Sequence, residues 1–452
     1  MNLAIWLQRS AQLFQNQPAI ALGEEVWCTY SEMATRAARA AAWYQAKGCF
    51  VGQRVALFMQ NQAQYLELLW GAWWAGLVVV PINAKLHAKE VAWIIAHSQA
   101  SLVLTDEAEQ NPLQEALLEH NAKALVQTNF DFLQNSAMPC APLQPMADDA
   151  PCWLFYTSGT TGRPKGVMLC PEQLRLMSLA FLSSIQTVSP GDHMLHPAPL
   201  SHGGGMYHLP YVLQGATNVI PKSGSFDADE CLRLAAFWKN ASFFAAPTMV
   251  RRLVEAVKTS GVKASGLQTI IYGGGPMYLA DIQEALEIMG PHFAQIYGQG
   301  ECPMTITVLP KKWITQCALE NDDAHLASVG FAQNMVELSI QDDQGRILPT
   351  GQKGEICVKG RVVIAGYWQY PIAKQKAIRN GWLSPGDVGV LDPQGFLTLL
   401  DRSKDLVVSG GSNIYPREIE EVLLSHEAVA EVSVIGRPDP EWGEVVVAYV
   451  VL

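Results

Sequence analysis

The 452-residue sequence has no basic run and no arginine-rich tail: 31 Lys and Arg stand against 42 Asp and Glu, a formal charge of −11. Non-specific nucleic-acid binding needs cations spread over a face, so that function class is excluded. Cysteine pairs are lacking too. The nine cysteines are odd in number and none forms a Cys-x-x-Cys pair, which argues against a disulfide framework or zinc site and for free thiols in a reducing cytoplasm. The N-terminus has no basic start before an apolar core, so no signal peptide is expected. No apolar run reaches the ~18 residues that a bilayer span requires. The nearest, Leu68 to Ile82, has 15 uncharged residues broken by Gly71, Gly76 and Pro81. It reads as a buried helix, Tyr65 to Ala75, running into a buried strand, Leu77 to Val80. Internal repeats and low-complexity tracts are absent.

What is present fits a large α/β protein. Apolar residues make up 49% of the chain and charged residues 16%, enough for a large core and too much chain for one, so two or three domains are expected. The first half alternates helical and strand patterns: Tyr30 to Lys47 helix, Arg54 to Met59 strand, Ala88 to Ala96 helix, Ser101 to Thr105 strand. That alternation predicts doubly wound α/β structure. Asn135 to Pro151, with four prolines and two aspartates, reads as a surface connector. Between Leu326 and Leu400 short strands with glycine turns predict a small β-rich subdomain.

The chain is organised around Tyr156-Thr157-Ser158-Gly159-Thr160-Thr161-Gly162-Arg163-Pro164-Lys165-Gly166-Val167. This reads as a loop between a buried strand, Cys152 to Tyr156, and a helix, Pro171 to Ile185. Its glycines let backbone N–H groups approach oxyanions, its hydroxyls add donors, and Arg163 and Lys165 add charge, a combination that suits polyphosphate. It is not a Walker loop, because Gly162 is followed by Arg-Pro-Lys-Gly. Downstream, Pro197-Ala198-Pro199-Leu200-Ser201-His202-Gly203-Gly204-Gly205-Met206-Tyr207-His208 sets a histidine among prolines and glycines. Phe243 to Thr248 reads as a strand ending in a proline turn at Pro247, and Ile270 to Met277 as a strand running into Gly273, Gly274, Gly275 and Pro276. Both put loops at strand C-termini, where open α/β sheets bind ligands.

The phosphate loop resembles the signature of the adenylate-forming, or AMP-binding, superfamily, in particular its acyl-CoA synthetase branch for fatty or aryl acids. Further motifs follow in the family's order. Tyr297-Gly298-Gln299-Gly300-Glu301 is similar to Tyr-Gly-x-Thr-Glu, Trp382-Leu383-Ser384-Pro385-Gly386-Asp387 to Trp-Phe-x-Thr-Gly-Asp, and Asp401-Arg402-Ser403-Lys404-Asp405 to the family's hinge. Gly300 and Pro385 depart from it, each standing where the family has threonine.

The resemblance implies a fold and a reaction. The fold is a large N-terminal region, residues 1–400, of two doubly wound α/β subdomains plus the β-rich one at about 326–400. A partial mobile α+β lid follows at 401–452, with Pro416 opening a helix and strands at Ala430 to Ile435 and Val445 to Leu452. The expected reaction is ATP-dependent activation of a carboxylic acid as acyl-AMP, then transfer to coenzyme A, with ATP, Mg²⁺ and coenzyme A as cofactors and cosubstrate. The implied nucleotide contacts are Thr157, Ser158, Gly159, Thr160, Thr161, Gly162, Lys165, Gly273, Gly274, Gly275, Pro276, Tyr297, Gly298, Glu301, Asp387 and Arg402. Lys165, His202, Glu301 and Arg402 would act in catalysis, Glu301 would hold the metal, and Lys404 would be the hinge. His202, Gly203, Met206, Tyr207, Pro247 and Gly275 would line the acid's pocket. No aspartate occurs between Pro197 and Leu209 to grip an α-ammonium, which favours a medium or long fatty acid or an aryl acid over an amino acid. An acyl carrier protein as acceptor and a homodimer stay open. The family's lid continues to a Pro-x-x-x-x-Gly-Lys motif beyond the position matched by Leu452, so a non-catalytic nucleotide or acyl-adenylate binder is the third reading.

Overall fold

The computed structural model describes residues 1–157, 164–261, 264–371, 377–402, 407–409, 412–426, 428–439 and 442–452. Among the described residues the chain forms four sheets of nine, seven, six and four strands. The seven-stranded sheet runs Gly366–Tyr367, Lys165–Leu169, Trp153–Thr157, Val78–Ile82, Arg54–Phe58, Leu102–Thr105, Leu125–Gln127. From Trp153–Thr157 to Leu125–Gln127 its strands are parallel. The nine-stranded sheet likewise has parallel neighbours from Pro18–Leu22 to Phe293–Gln299. Both are the doubly wound α/β layers that the alternating pattern predicts.

Local chemistry explains the elements. Tyr30–Ala46 starts with a capping box, Thr29 accepting from the Glu32 amide while the Glu32 carboxylate accepts from the Thr29 amide. The helix Ala63–Trp74 is buried on almost every face and runs into the fully buried strand Val78–Ile82, as expected for the apolar stretch. No helix among the described residues is long and apolar enough to cross a membrane. All nine cysteines are unpaired.

Three expectations need correction. The phosphate segment does not run from strand to loop to helix. Trp153–Thr157 and Lys165–Leu169 are paired antiparallel, Thr157 opposite Lys165, so the described ends of the segment are the two strands of a β-hairpin and the helix Pro171–Ala180 starts only afterwards. Its glycines and cations mask a strand whose buried apolar side chains, Val167 and Leu169, are too few to show alternation. Pro247 does not make a turn but opens the helix Pro247–Ser260, where a missing N–H is harmless. The β-rich sheet begins at Glu337–Gln341 and its last strand, Leu397–Arg402, ends beyond residue 400, while Phe331–Ala332 edges the nine-stranded sheet.

Candidate active site

The hairpin base is held from outside. The Tyr156 hydroxyl and Nδ1 of His97 share a hydrogen bond of 2.8 Å. The Trp368 amide donates to the Gly166 carbonyl over 2.7 Å, and its indole N–H donates to the His97 carbonyl over 3.2 Å. Burial pulls the His97 imidazole below its ordinary value and pushes the Tyr156 phenol up. Thr157 and Lys165 sit at the hairpin's mouth. Ser158, Gly159, Thr160, Thr161 and Gly162 lie outside the described residues.

Facing the mouth is the turn between Phe293–Gln299 and Cys302–Leu309, which carries Gly300 and Glu301. A Cβ at Gly300 would lie 2.6 Å from Cγ2 of Thr157 and 2.9 Å from Cδ1 of Phe155. The space that a threonine side chain would take is therefore filled by Thr157 and Phe155, and this accounts for glycine at 300. The half-buried Glu301 accepts from the Tyr367 hydroxyl over 2.8 Å. Lys165 Nζ stands 5.7 Å from the centre of the same tyrosine ring. Burial, reinforced by the Glu301 charge, raises the Tyr367 phenol, so it remains a donor.

The second carboxylate of the site is Asp387, 7% exposed. Its Oδ2 accepts from the Tyr297 hydroxyl and from the Gln299 side-chain amide, each at 2.6 Å. Tyr297 is buried against the β-rich sheet. Gly298 follows it where a Cβ would meet the Met304 amide nitrogen at 2.4 Å. Arg402 pairs with Asp387 across neighbouring strands. Lys404 lies outside the described residues.

On the opposite wall the histidine segment is pinned by Asn61. Its Nδ2 donates to the His196 and Ala198 carbonyls at 2.9 and 2.8 Å, and its Oδ1 accepts from the Leu200 amide at 2.8 Å. His202 is exposed, its ring 5.6 Å from that of Phe155, and the part of the imidazole that is covered lowers its pKa by burial. The turn Gly203–Tyr207 follows, with Met206 and Tyr207 buried and the Tyr207 ring 4.8 Å from Phe181. Phe244 fills the gap between Gly204 and Gly274, lying 2.7 and 3.7 Å from where their Cβ atoms would be. Pro247 is 3.6 Å from a Cβ at Gly275. Gly273 is buried, whereas Gly274, Gly275 and Pro276 are exposed at the strand's end.

Sequence patterns missed Asn61, Phe244, Gln299 and Tyr367. Tyr367 belongs to a two-residue strand, too short to show a period. Among the described residues no three His, Cys, Asp or Glu side chains gather into a metal cage. A single carboxylate on the rim, Glu301, fits Mg²⁺, which is commonly held by one or two carboxylates together with substrate phosphates.

Two doubly wound sheets, with Thr157, Lys165 and Glu301 brought together around the Gly300 turn and Tyr367, fit a ligand-binding enzyme of the α/β class. The chain belongs to the AMP-binding enzyme family: that family's model matches residues 7–368, and the model of the AMP-binding enzyme C-terminal domain matches 418–452. It is 33% identical over 452 residues to a feruloyl-CoA synthase of Amycolatopsis, covering 100% of this chain and 88% of that one. It is 31% identical over 464 residues to a medium/long-chain-fatty-acid–CoA ligase of Mycobacterium tuberculosis, covering 97% of this chain and 78% of the relative. Its structure is similar to that of o-succinylbenzoate CoA synthetase from Bacillus subtilis in complex with its acyl-adenylate intermediate, with a TM-score of 0.86, 31% identity and coverage of 98% and 87%.

Proposed function

We propose that the chain is an AMP-forming acyl-CoA synthetase for a fatty or aryl carboxylic acid. In the first step a carboxylate oxygen of the acid attacks the α-phosphorus of ATP, and the bond from that phosphorus to pyrophosphate breaks. Thr157, Lys165 and the hydroxyls of the hairpin tip offset the phosphoryl charge. Mg²⁺, held through Glu301, would neutralise phosphate charge when bound. Asp387 accepts from the ribose hydroxyls, which suits a carboxylate with two acceptor oxygens. Gly273 to Pro276 and Gly298 are assigned to the adenine, and Arg402 to the ribose or α-phosphate. His202 stands where the acid meets the phosphate, with Gly203, Met206, Tyr207, Pro247 and Gly275 around the acyl group.

In the second step the thiol of coenzyme A attacks the acyl carbonyl, the bond to AMP breaks, and AMP leaves. Residues up to Arg402, the end of the last strand of the β-rich sheet, form the adenylation unit, and the rest of the chain belongs to a lid that turns about Lys404 between the steps. No enzyme nucleophile is needed, because the adenylate is itself a good leaving group.

One observation carries this reading: Lys165, Tyr367, Glu301, Gly300, Thr157, Phe155 and His202 stand next to one another in succession. The test is a panel of fatty and aryl acids with MgATP, following pyrophosphate release and thioester formation separately, with coenzyme A or an acyl carrier protein as acceptor. Acid-dependent pyrophosphate release with coenzyme A thioester formation is expected. Thioester only on the carrier protein would change the acceptor, and AMP binding without release would make the chain a binder.

A further inference from the structure

We infer that Tyr367 is a positioning residue for the phosphate end of the site, tying the Glu301 carboxylate to the hairpin that carries Lys165. The inference rests on the roles proposed above for Glu301 and Lys165. The backbone of Tyr367 is fixed to the hairpin: Gly366–Tyr367 pairs antiparallel with Lys165–Leu169, Tyr367 opposite Val167 and Gly366 opposite Met168. The next residue, Trp368, donates its amide to the Gly166 carbonyl over 2.7 Å. The tyrosine therefore moves with the strand on which Lys165 sits.

From that anchor the side chain works in two directions. Its hydroxyl donates to Oε1 of Glu301 over 2.8 Å, while the Ile364 amide donates to the Glu301 backbone carbonyl over 3.0 Å. The segment 364–367 thus grips both ends of Glu301 and restricts rotation of the carboxylate. The ring, 8% exposed, lies 5.7 Å from Lys165 Nζ, within the range at which an ammonium is attracted to an aromatic face. A displacement of the hairpin by bound phosphates would carry Glu301 along with Lys165, keeping the cation's carboxylate and the lysine in fixed relation.

Two substitutions in the full chain separate the two roles. Tyr367→Phe removes the donor and keeps the ring, whereas Tyr367→Leu removes both. Binding of a non-hydrolysable ATP analogue is measured by calorimetry with and without Mg²⁺, and pyrophosphate release is measured as a function of Mg²⁺. For Tyr367→Phe, metal-free binding is expected to match the parent chain, while Mg²⁺-dependent affinity falls about tenfold and half-saturating Mg²⁺ for turnover rises about as much, the effect of losing one hydrogen bond to a charged group. Tyr367→Leu weakens metal-free binding as well. A Tyr367→Phe chain with an unaltered Mg²⁺ response overturns the inference, provided that Glu301→Gln abolishes that response. If Glu301→Gln also leaves it intact, the assignment of Glu301 is what fails, and the inference with it. Should the variants unfold, 3-fluorotyrosine at position 367 of the otherwise unchanged protein gives a second reading. Its ¹⁹F resonance must shift when Mg²⁺ is added to the analogue complex, and an unmoved resonance overturns the inference.

Discussion

The Tyr297 hydroxyl donates to Oδ2 of Asp387 over 2.6 Å, joining the nine-stranded sheet to the β-rich sheet at the acidic residue proposed to accept from the ribose. Because the acceptor is a buried carboxylate, Tyr297→Phe is expected to destabilise the chain by about 1.5–3 kcal/mol. It should also weaken AMP binding, since one of the two donors that aim that oxygen, Tyr297 and Gln299, would be lost. Denaturant unfolding and AMP titration check both effects. Unchanged AMP affinity in a folded variant would mean that the tyrosine serves packing alone.

At Gly300 a collision decides the outcome. An alanine there places Cβ 2.6 Å from the Thr157 methyl and 2.9 Å from the Phe155 ring, so Gly300→Ala is expected to lose about 1–3 kcal/mol through overpacking and to push the hairpin mouth out of place. Thr157→Ser deletes the methyl and keeps the hydroxyl. Combining the two should recover part of the stability and part of the ATP affinity, a non-additivity that a double-mutant cycle measures. Strict additivity would place the strain elsewhere.

How much of this was legible in the sequence depends on scale. Thr157, Lys165, Glu301 and Asp387 stand in stretches whose residue types announce their chemistry, and the strands Arg54–Phe58 and Leu102–Thr105 announce themselves by apolar runs. The pairing of Pro18–Leu22 with Thr217–Ile220 does not, because nothing local specifies a partner some 200 residues away. The strand Lys165–Leu169 was hidden for a different reason: its first residues serve the hairpin mouth and carry charge and glycine instead of a strand pattern. Tyr367 and Asn61 act through tertiary contacts alone.

His325 gives a pH dependence with a definite sign. Burial opposes its charge, but Asp322 at Nδ1, 2.5 Å, and Asp392 at Nε2, 2.7 Å, outweigh it and raise its pKa. A histidine raised on folding adds stability that is complete below its unfolded value, near 6.5, and disappears as pH climbs through the folded value. Asp392 works in the opposite direction. Burial pushes it up, but the Phe396 and Gln394 amides and His325 pull it down further, so its contribution is lost as pH falls through the acid range. Unfolding free energy measured against pH should therefore decline above about 6.5, and His325→Gln should flatten that limb. A decline of equal slope in the variant would assign it to other groups.

The C-terminal segment docks through polar contacts of unequal weight. Lys353 and Glu418 are 2.6 Å apart with side chains 46% and 50% exposed, so removing that pair should change stability by less than about 1 kcal/mol. Glu420 is placed differently, accepting from the Tyr278 hydroxyl and from the Val434 amide, each at 2.8 Å. Burial, and then Glu420 itself, raise the Tyr278 phenol and hold its proton in that bond. Glu420→Ala leaves two partly buried donors without this acceptor, a loss of about 1–3 kcal/mol shared between docking, through Tyr278, and the C-terminal segment's own packing, through Val434. Hydrogen exchange is expected to quicken at Val434 and at Leu279, whose amide donates to Glu421 beside it. If the segment must leave this position between the two half-reactions, the same variant should change thioester formation and pyrophosphate release unequally. An equal change in both would mean that the contact sets the stability of the chain and not the step that follows adenylation.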